Sequence, residues 1–144
     1  MSGKRRHVIV VPWGGFAEPI AAIREQVFVR EQGVPPELEW DGHDAGAVHV
    51  LAFAGDGGAV GTGRMLASGQ IGRMAVLPEH RGAGIGGEIL ETLVAEGRRR
   101  GMPAPFLHAQ THALGFYRAH GFHPEGKVFM DAGIPHRLMR LSGD

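Results

Sequence analysis

Apolar and polar positions recur along the chain with two periods, and these divide it into strands and helices. His7–Val11 is a β-branched run and predicts a first strand. Ile20, Ile23 and Val27 recur at helical spacing and predict a helix from Pro19 to about Gln32, which Gly33 stops. Pro35-Pro36 is expected to prevent regular structure after it. Residues 48–54 alternate and read as the second strand, 55–58 as a tight hairpin turn, and 59–67 as the third strand. Ile71 and residues 74–77 make the fourth, which Pro78 ends. Ile85, Ile89, Leu90, Leu93 and Val94 form one stripe of a helix that opens out of a glycine turn. That helix closes at Arg98, Arg99, Arg100 and Gly101. Residues 105–109 predict a fifth strand and 112–120 a short helix. Two last strands, 126–131 and 136–141, flank the turn Ala132-Gly133-Ile134-Pro135. Antiparallel strands feeding a glycine-capped helix indicate an α+β meander rather than a doubly wound sheet.

Composition narrows the partners. The 144 residues suit one domain, 1–144. Fifteen basic and 15 acidic residues give a net charge of 0, so no broad basic face is expected and nucleic acid is not an expected partner. There is no cysteine, hence no thiolate ligand or cysteine nucleophile. No apolar run is long enough for a bilayer, and no membrane partner is expected. The basic-then-apolar start, Lys4-Arg5-Arg6 and His7–Val11, is too short for a signal-peptide core before Pro12. The expectation is a cytoplasmic protein.

The turn before the long helix carries the first chemical signal. The first N–H groups of a helix lack intrahelical partners, and its dipole makes that end partly positive. Glycines at 82, 84 and 86 leave those groups bare, and Arg81 adds a two-pronged cation. A phosphate or pyrophosphate ligand is therefore expected. Gly82, Gly84 and Gly87 satisfy G-x-G-x-x-G, but Pro78 and Arg81 intervene after the strand. No acidic residue lies between Met102 and Ala109, against a dinucleotide site. No Gly-Lys-Ser/Thr is present there, which excludes a P-loop.

Arg81-x-x-Gly84-x-Gly86, after a strand ending Val76-Leu77-Pro78, resembles the acetyl-CoA signature of the GNAT N-acetyltransferase superfamily. Gln110-Thr111-His112-Ala113-Leu114-Gly115-Phe116-Tyr117 and Gly121-Phe122 resemble its second cofactor element, with Gln110 where Asn is usual. Ile23-Arg24-x-x-Val27-Phe28, Glu31-Gln32-Gly33-Val34-Pro35, Gly61-Thr62-Gly63-Arg64 and Gly72-Arg73-Met74-Ala75-Val76 look like the small ElaA-like bacterial branch. The resemblance covers most of the chain. It implies a mixed, mostly antiparallel sheet with helices on both faces and a V-shaped opening between the fourth and fifth strands.

It also implies acetyl-CoA as co-substrate and an amine of a small molecule or protein as acceptor, with a homodimer left open. The implied cofactor contacts are Met74, Ala75 and Val76 along the pantetheine, then Arg81, Gly82, Gly84, Ile85, Gly86 and Gly87 at the pyrophosphate. Gln110 and Tyr117 face the thioester. A bulge in the fourth strand is implied as well. The apolar residues there do not alternate cleanly, which suits a bulge and equally a strand buried on both faces.

Acyl transfer needs a base for the amine, polarisation of the carbonyl and an acid for the thiolate. Tyr117, the only tyrosine, occupies the family's acid position, and a phenol is protonated at neutral pH. Glu31, Asp41, His43 and His108 are candidate bases; His108 and Glu31 join Tyr117 as the catalytic set. Glu37, Glu39, Asp41 and Asp44 form an acidic loop around Trp40. It reads either as a solvated loop or as a rim attracting a protonated amine. Phe28, Trp40, Asp41 and Asp44 are the expected acceptor contacts. No metal is expected: His108 and His112 straddle a strand end and a helix start, and His120 and His123 have only Glu125 nearby. The alternative function is a non-catalytic acyl-CoA-binding module.

Overall fold

The computed structural model describes residues 6–142; Lys4 and Arg5 lie outside the described residues. Seven strands form one sheet: β1 His7–Val11, β2 Val48–Phe53, β3 Ala59–Met65, β4 Gln70–Val76, β5 Phe106–Gln110, β6 Phe122–Asp131 and β7 Ile134–Leu141. Their order is β1-β2-β3-β4-β5-β7-β6. Every neighbouring pair is antiparallel except β4 and β5. That parallel pair is joined through the helix α3, Ile85–Arg99, as a parallel connection requires.

Alternation along the strands splits the core in two. Val50 and Ala52 face α3, whose Ile85, Ile89, Leu90 and Leu93 are buried against them. Leu51, between them in sequence, packs on the opposite face with Ile20, Ile23 and Val27. Glycine sets the spacing on the α3 side. A Cβ on Gly63 would stand 2.7 Å from Ile89 Cγ2, and one on Gly97 would stand 2.8 Å from Met65 Sδ. Both positions let helix and sheet close without a void.

The first helix differs from the periodic expectation. α1 spans Ala17–Arg24 and continues as a wider π-helical segment, Glu25–Glu31. A π turn shifts side chains around the axis, and such turns gather at functional sites. Pro36 does not end regular structure; it begins α2, Pro36–Glu39, where a first-turn proline loses no hydrogen bond. β6 starts at Phe122, four residues before the expected start at Gly126. It is an edge strand, where Pro124 is tolerated. No helix among the described residues is long and apolar enough to cross a membrane.

Candidate active site

β4 and β5 pair only at Gln70–Phe106 and Ile71–Leu107. Beyond that they are unpaired, and a cleft of about 1060 Å³ opens, lined by both strands and by residues of α3 and of α4, Leu114–Ala119. This is the expected V-shaped opening.

The upper part of β4 is bulged. Thr62 faces Ala75 and Arg64 faces Gly72, so Arg73 and Met74 oppose the single residue Gly63. Arg73 takes φ +49, a left-handed conformation that costs a non-glycine residue roughly 1–2 kcal/mol. A bulge frees backbone groups from the ladder, and Met74, Ala75 and Val76 beside it line the cleft.

At one end of the cleft lies the start of α3. Gly82 and Gly84 have φ +83 and +84, which other residues rarely adopt. A Cβ on Gly82 would meet nothing within 4 Å, and one on Gly84 would stand 3.4 Å from Arg6 Nη2. No side chain caps α3. Its first N–H groups are therefore available to an anion. Gly87 has a second role. A Cβ built on Gly87 would stand 2.9 Å from His120, so this glycine also admits the side chain that follows α4, whereas one on Gly86 would make only ordinary contact with Phe116 at 3.5 Å. Arg81 donates from both terminal nitrogens to Glu31, 2.7 Å each, and from Nε to the Val76 carbonyl at 2.8 Å.

Tyr117 meets the bulge from the other wall. Its hydroxyl lies 3.9 Å from Met74 Sδ, and its ring packs on Phe116 and Phe122. Burial pushes its pKa up to about 12. Gln110 donates to Gln32 Oε1 at 3.0 Å, tying the end of β5 to the segment after α1. His108 lies within 3.4 Å of Gln70 Nε2 and edge-on to Phe129. Burial lowers its pKa, the nearby Asp131 opposing and His136 reinforcing.

The expected acceptor residues divide. Phe28 and Asp41 line the cleft. Trp40 and Asp44 do not: Trp40 stacks over the Arg24 guanidinium, and Asp44 is buried against Arg24 and Arg64. Asp41 accepts from Arg64 at 3.0 and 2.5 Å, and those bonds hold its carboxyl far below the usual range. Within the acidic loop Glu39 and Asp44 are buried against arginines, whereas Glu37 and Asp41 are exposed and Asp41 is paired with Arg64. Glu31 lines the cleft, yet both its oxygens accept from Arg81, and that pairing lowers its pKa.

Sequence reasoning passed over Arg24, Arg64, Arg73 and His136 as functional residues. Arg24 carried a signal: it falls on the apolar stripe Ile20–Ile23–Val27, and a charge there must find a buried partner. His136 Nδ1 donates to the Ile134 carbonyl at 2.7 Å, which leaves Nε2 as the acceptor of the neutral ring.

Residues 18–142 match the family model described as an acetyltransferase (GNAT) domain. The chain is 40% identical over 121 residues to a Bacillus subtilis protein named as the uncharacterized N-acetyltransferase YjcF, covering 81% of this chain and 86% of that protein. Among solved structures, an acyl-CoA N-acyltransferase from Pseudomonas aeruginosa superimposes with a TM-score of 0.83 at 26% identity. It covers 95% of this chain and 99% of its own. Escherichia coli ElaA superimposes with a TM-score of 0.82 at 27% identity, covering 94% and 99%.

Proposed function

The chain belongs to the GNAT acetyltransferase family, and from that premise we propose that it moves an acetyl group from acetyl-CoA to an amine of a small molecule or protein in the cytoplasm. One observation carries the reading. The uncapped start of α3 and the Tyr117 hydroxyl beside the Met74 bulge line one continuous cleft. An extended ligand with a diphosphate at one end and a reacting thioester at the other fits that arrangement.

The thioester supplies an activated acyl carbon, and the chain does the rest. The N–H groups at the start of α3, with Gly82, Gly84, Ile85, Gly86 and Gly87 around them, bind the diphosphate. Arg81 borders the same pocket. Met74, Ala75 and Val76 run along the pantetheine arm, and a backbone N–H freed by the bulge polarises the carbonyl. Gln110 steadies the thioester side through an amide already fixed by Gln32. His108, which lines the cleft, takes the proton of the attacking amine, and desolvation there favours the neutral imidazole that a base must be. The C–N bond forms and the C–S bond breaks. The Tyr117 hydroxyl delivers its proton to the departing sulfur. Phe28 and Asp41 border the acceptor.

The test is a panel of primary amines, amino acids and lysine peptides incubated with acetyl-CoA, reading free thiol and acetylated product. Release of thiol matched by acetylated amine supports the reading. Saturable coenzyme A binding without transfer to any amine would replace it with a binding module.

A further inference from the structure

Six charged side chains close into a ring beside the bulge. Glu39 accepts from Arg24 at 2.6 Å, and Arg24 reaches Asp44 at 2.7 Å. Asp44 accepts from Arg64 at 2.9 Å, and Arg64 reaches Asp41 at 2.5 Å. Arg73 completes the circuit, 3.3 Å from Asp41 and 3.3 Å from Glu39. Charges alternate all the way round, and each side chain touches two of opposite sign. Arg24, Glu39, Asp44 and Arg64 are buried, so water does not dissolve the ring. It joins α1, α2 and the loop after it, β3 and β4.

Arg73 is where this ring meets the reaction. It sits on the bulge at φ +49, a conformation that glycine adopts without strain. Glycine already stands on either side of the bulge, at Gly72 in the same strand and Gly63 opposite. An arginine held in a glycine conformation needs a compensating contact. The compensation is visible: Nη2 donates to the Leu38 and Glu39 carbonyls at 3.3 and 3.0 Å, and Nε donates to the same Glu39 carbonyl. Leu38, Glu39 and Asp41 line the cleft on the acceptor side.

We propose that Arg73 is a positioning residue that locks the acceptor wall, residues 38–41, to the acyl-binding bulge of β4 by closing this ring. The proposal rests on the acyl-transfer reading for what the lock serves, though not for the lock itself. A protonated amine entering here meets a wall whose negative charges are already matched. Selection of the acceptor then falls to shape and to hydrogen bonding rather than to a free acidic rim.

The experiment compares the wild type with Arg73→Gly, Arg73→Lys and Asp41→Asn. Amide hydrogen exchange is measured over residues 36–44, coenzyme A affinity by calorimetry, and thiol release with the amine panel. Arg73→Gly relieves the backbone strain, so a residue chosen only for the bulge would tolerate it. The expected result is exchange over 36–44 faster by about tenfold or more in Arg73→Gly and Asp41→Asn. Arg73→Lys keeps the charge with one nitrogen and should fall between. Thiol release should drop by about tenfold while coenzyme A affinity stays within about threefold, because the diphosphate end is untouched. Unchanged exchange in Arg73→Gly overturns the lock, whatever the protein catalyses. Faster exchange with wild-type turnover overturns its role in positioning. Failure of the wild type itself to bind coenzyme A would instead strike the acyl-transfer reading, and the exchange data would still decide the lock.

Discussion

Arg81 and Glu31 form a two-pronged ion pair, 2.7 Å at each oxygen, that joins the end of the first helix to the loop preceding α3. The pair is about 40% exposed on each side. Exposed pairs contribute up to about 1 kcal/mol, so this one can be traded for a ligand without unfolding anything. Its position matters more than its strength. It holds a guanidinium at the edge of the pocket where a diphosphate is expected, and it occupies the carboxylate that the sequence offered as a base.

Glu31→Gln separates these roles. The account expects turnover within about threefold of wild type, since no proton passes through Glu31, and coenzyme A binding tighter by a few-fold at most. Calorimetry and thiol release measure both. Turnover lost by about 100-fold, with affinity kept, would return Glu31 to the base role.

Tyr117→Phe removes one hydroxyl from a packed ring. The ring contacts with Phe116 and Phe122 remain, so the fold should hold. Turnover should fall by roughly 100-fold with coenzyme A affinity nearly unchanged, the signature of an acid used only in the transition state. Equal turnover in the variant would remove Tyr117 from that role.

The pH profile has a definite shape. His108 must be neutral to act, and burial lowers its pKa from the usual 6.5. Activity should therefore rise through a limb below pH 6.5 and be flat at neutral pH. Tyr117 must stay protonated, and its pKa near 12 puts any falling limb beyond the working range. His108→Gln should abolish the acidic limb along with most of the rate. A limb that persists in His108→Gln would point to another base.

Asp44 carries the stability of the ring. Burial raises its carboxyl, and the Arg24 and Arg64 guanidiniums more than offset that, leaving its folded pKa below the usual value. A depressed acid contributes stability that is complete above its unfolded pKa and is lost as the pH falls through the folded one. Asp44→Asn should thus cost about 3 kcal/mol at pH 7, because two buried guanidiniums lose a shared partner. That corresponds to a Tm lower by about 10 °C. The difference should shrink below about pH 4, where the wild-type carboxyl begins to lose its advantage. A Tm difference that is the same at pH 7 and pH 3 would contradict the assignment.

Much of this could be read from residue order alone, for physical reasons. The run 48–54 and the hairpin turn after it located β2 and β3, although both strands prove buried on their two faces, and the Ile85–Val94 stripe located α3 because that helix buries one face. The glycines at 82, 84 and 86 marked the bare helix start, and the positive φ of Gly82 and Gly84 adds a second reason for glycine there. A bulge in β4 was implied by the family resemblance, while the broken alternation there suited a doubly buried strand equally; the register places it at Arg73 and Met74. What stayed hidden depends on tertiary pairing. Glu39, Asp41 and Asp44 look the same in a sequence whether solvated or buried, and only the arrival of Arg24, Arg64 and Arg73 from three other elements decides it. The π-helical turn of Glu25–Glu31 leaves no trace in composition. Pro36 was read as a breaker because nothing local distinguishes that use of proline from a helix start.

The central claim is that the bare amides before and within the first turn of α3 hold the diphosphate of coenzyme A. A crystal structure of the protein grown with coenzyme A tests it directly, paired with titration of Gly84→Glu, which sets a carboxylate against that pocket. The account predicts diphosphate oxygens within hydrogen-bonding distance of the amides of residues 82–87, the pantetheine beside Met74–Val76, and no measurable affinity in Gly84→Glu. Coenzyme A bound elsewhere, or bound as tightly by Gly84→Glu as by the wild type, would contradict it.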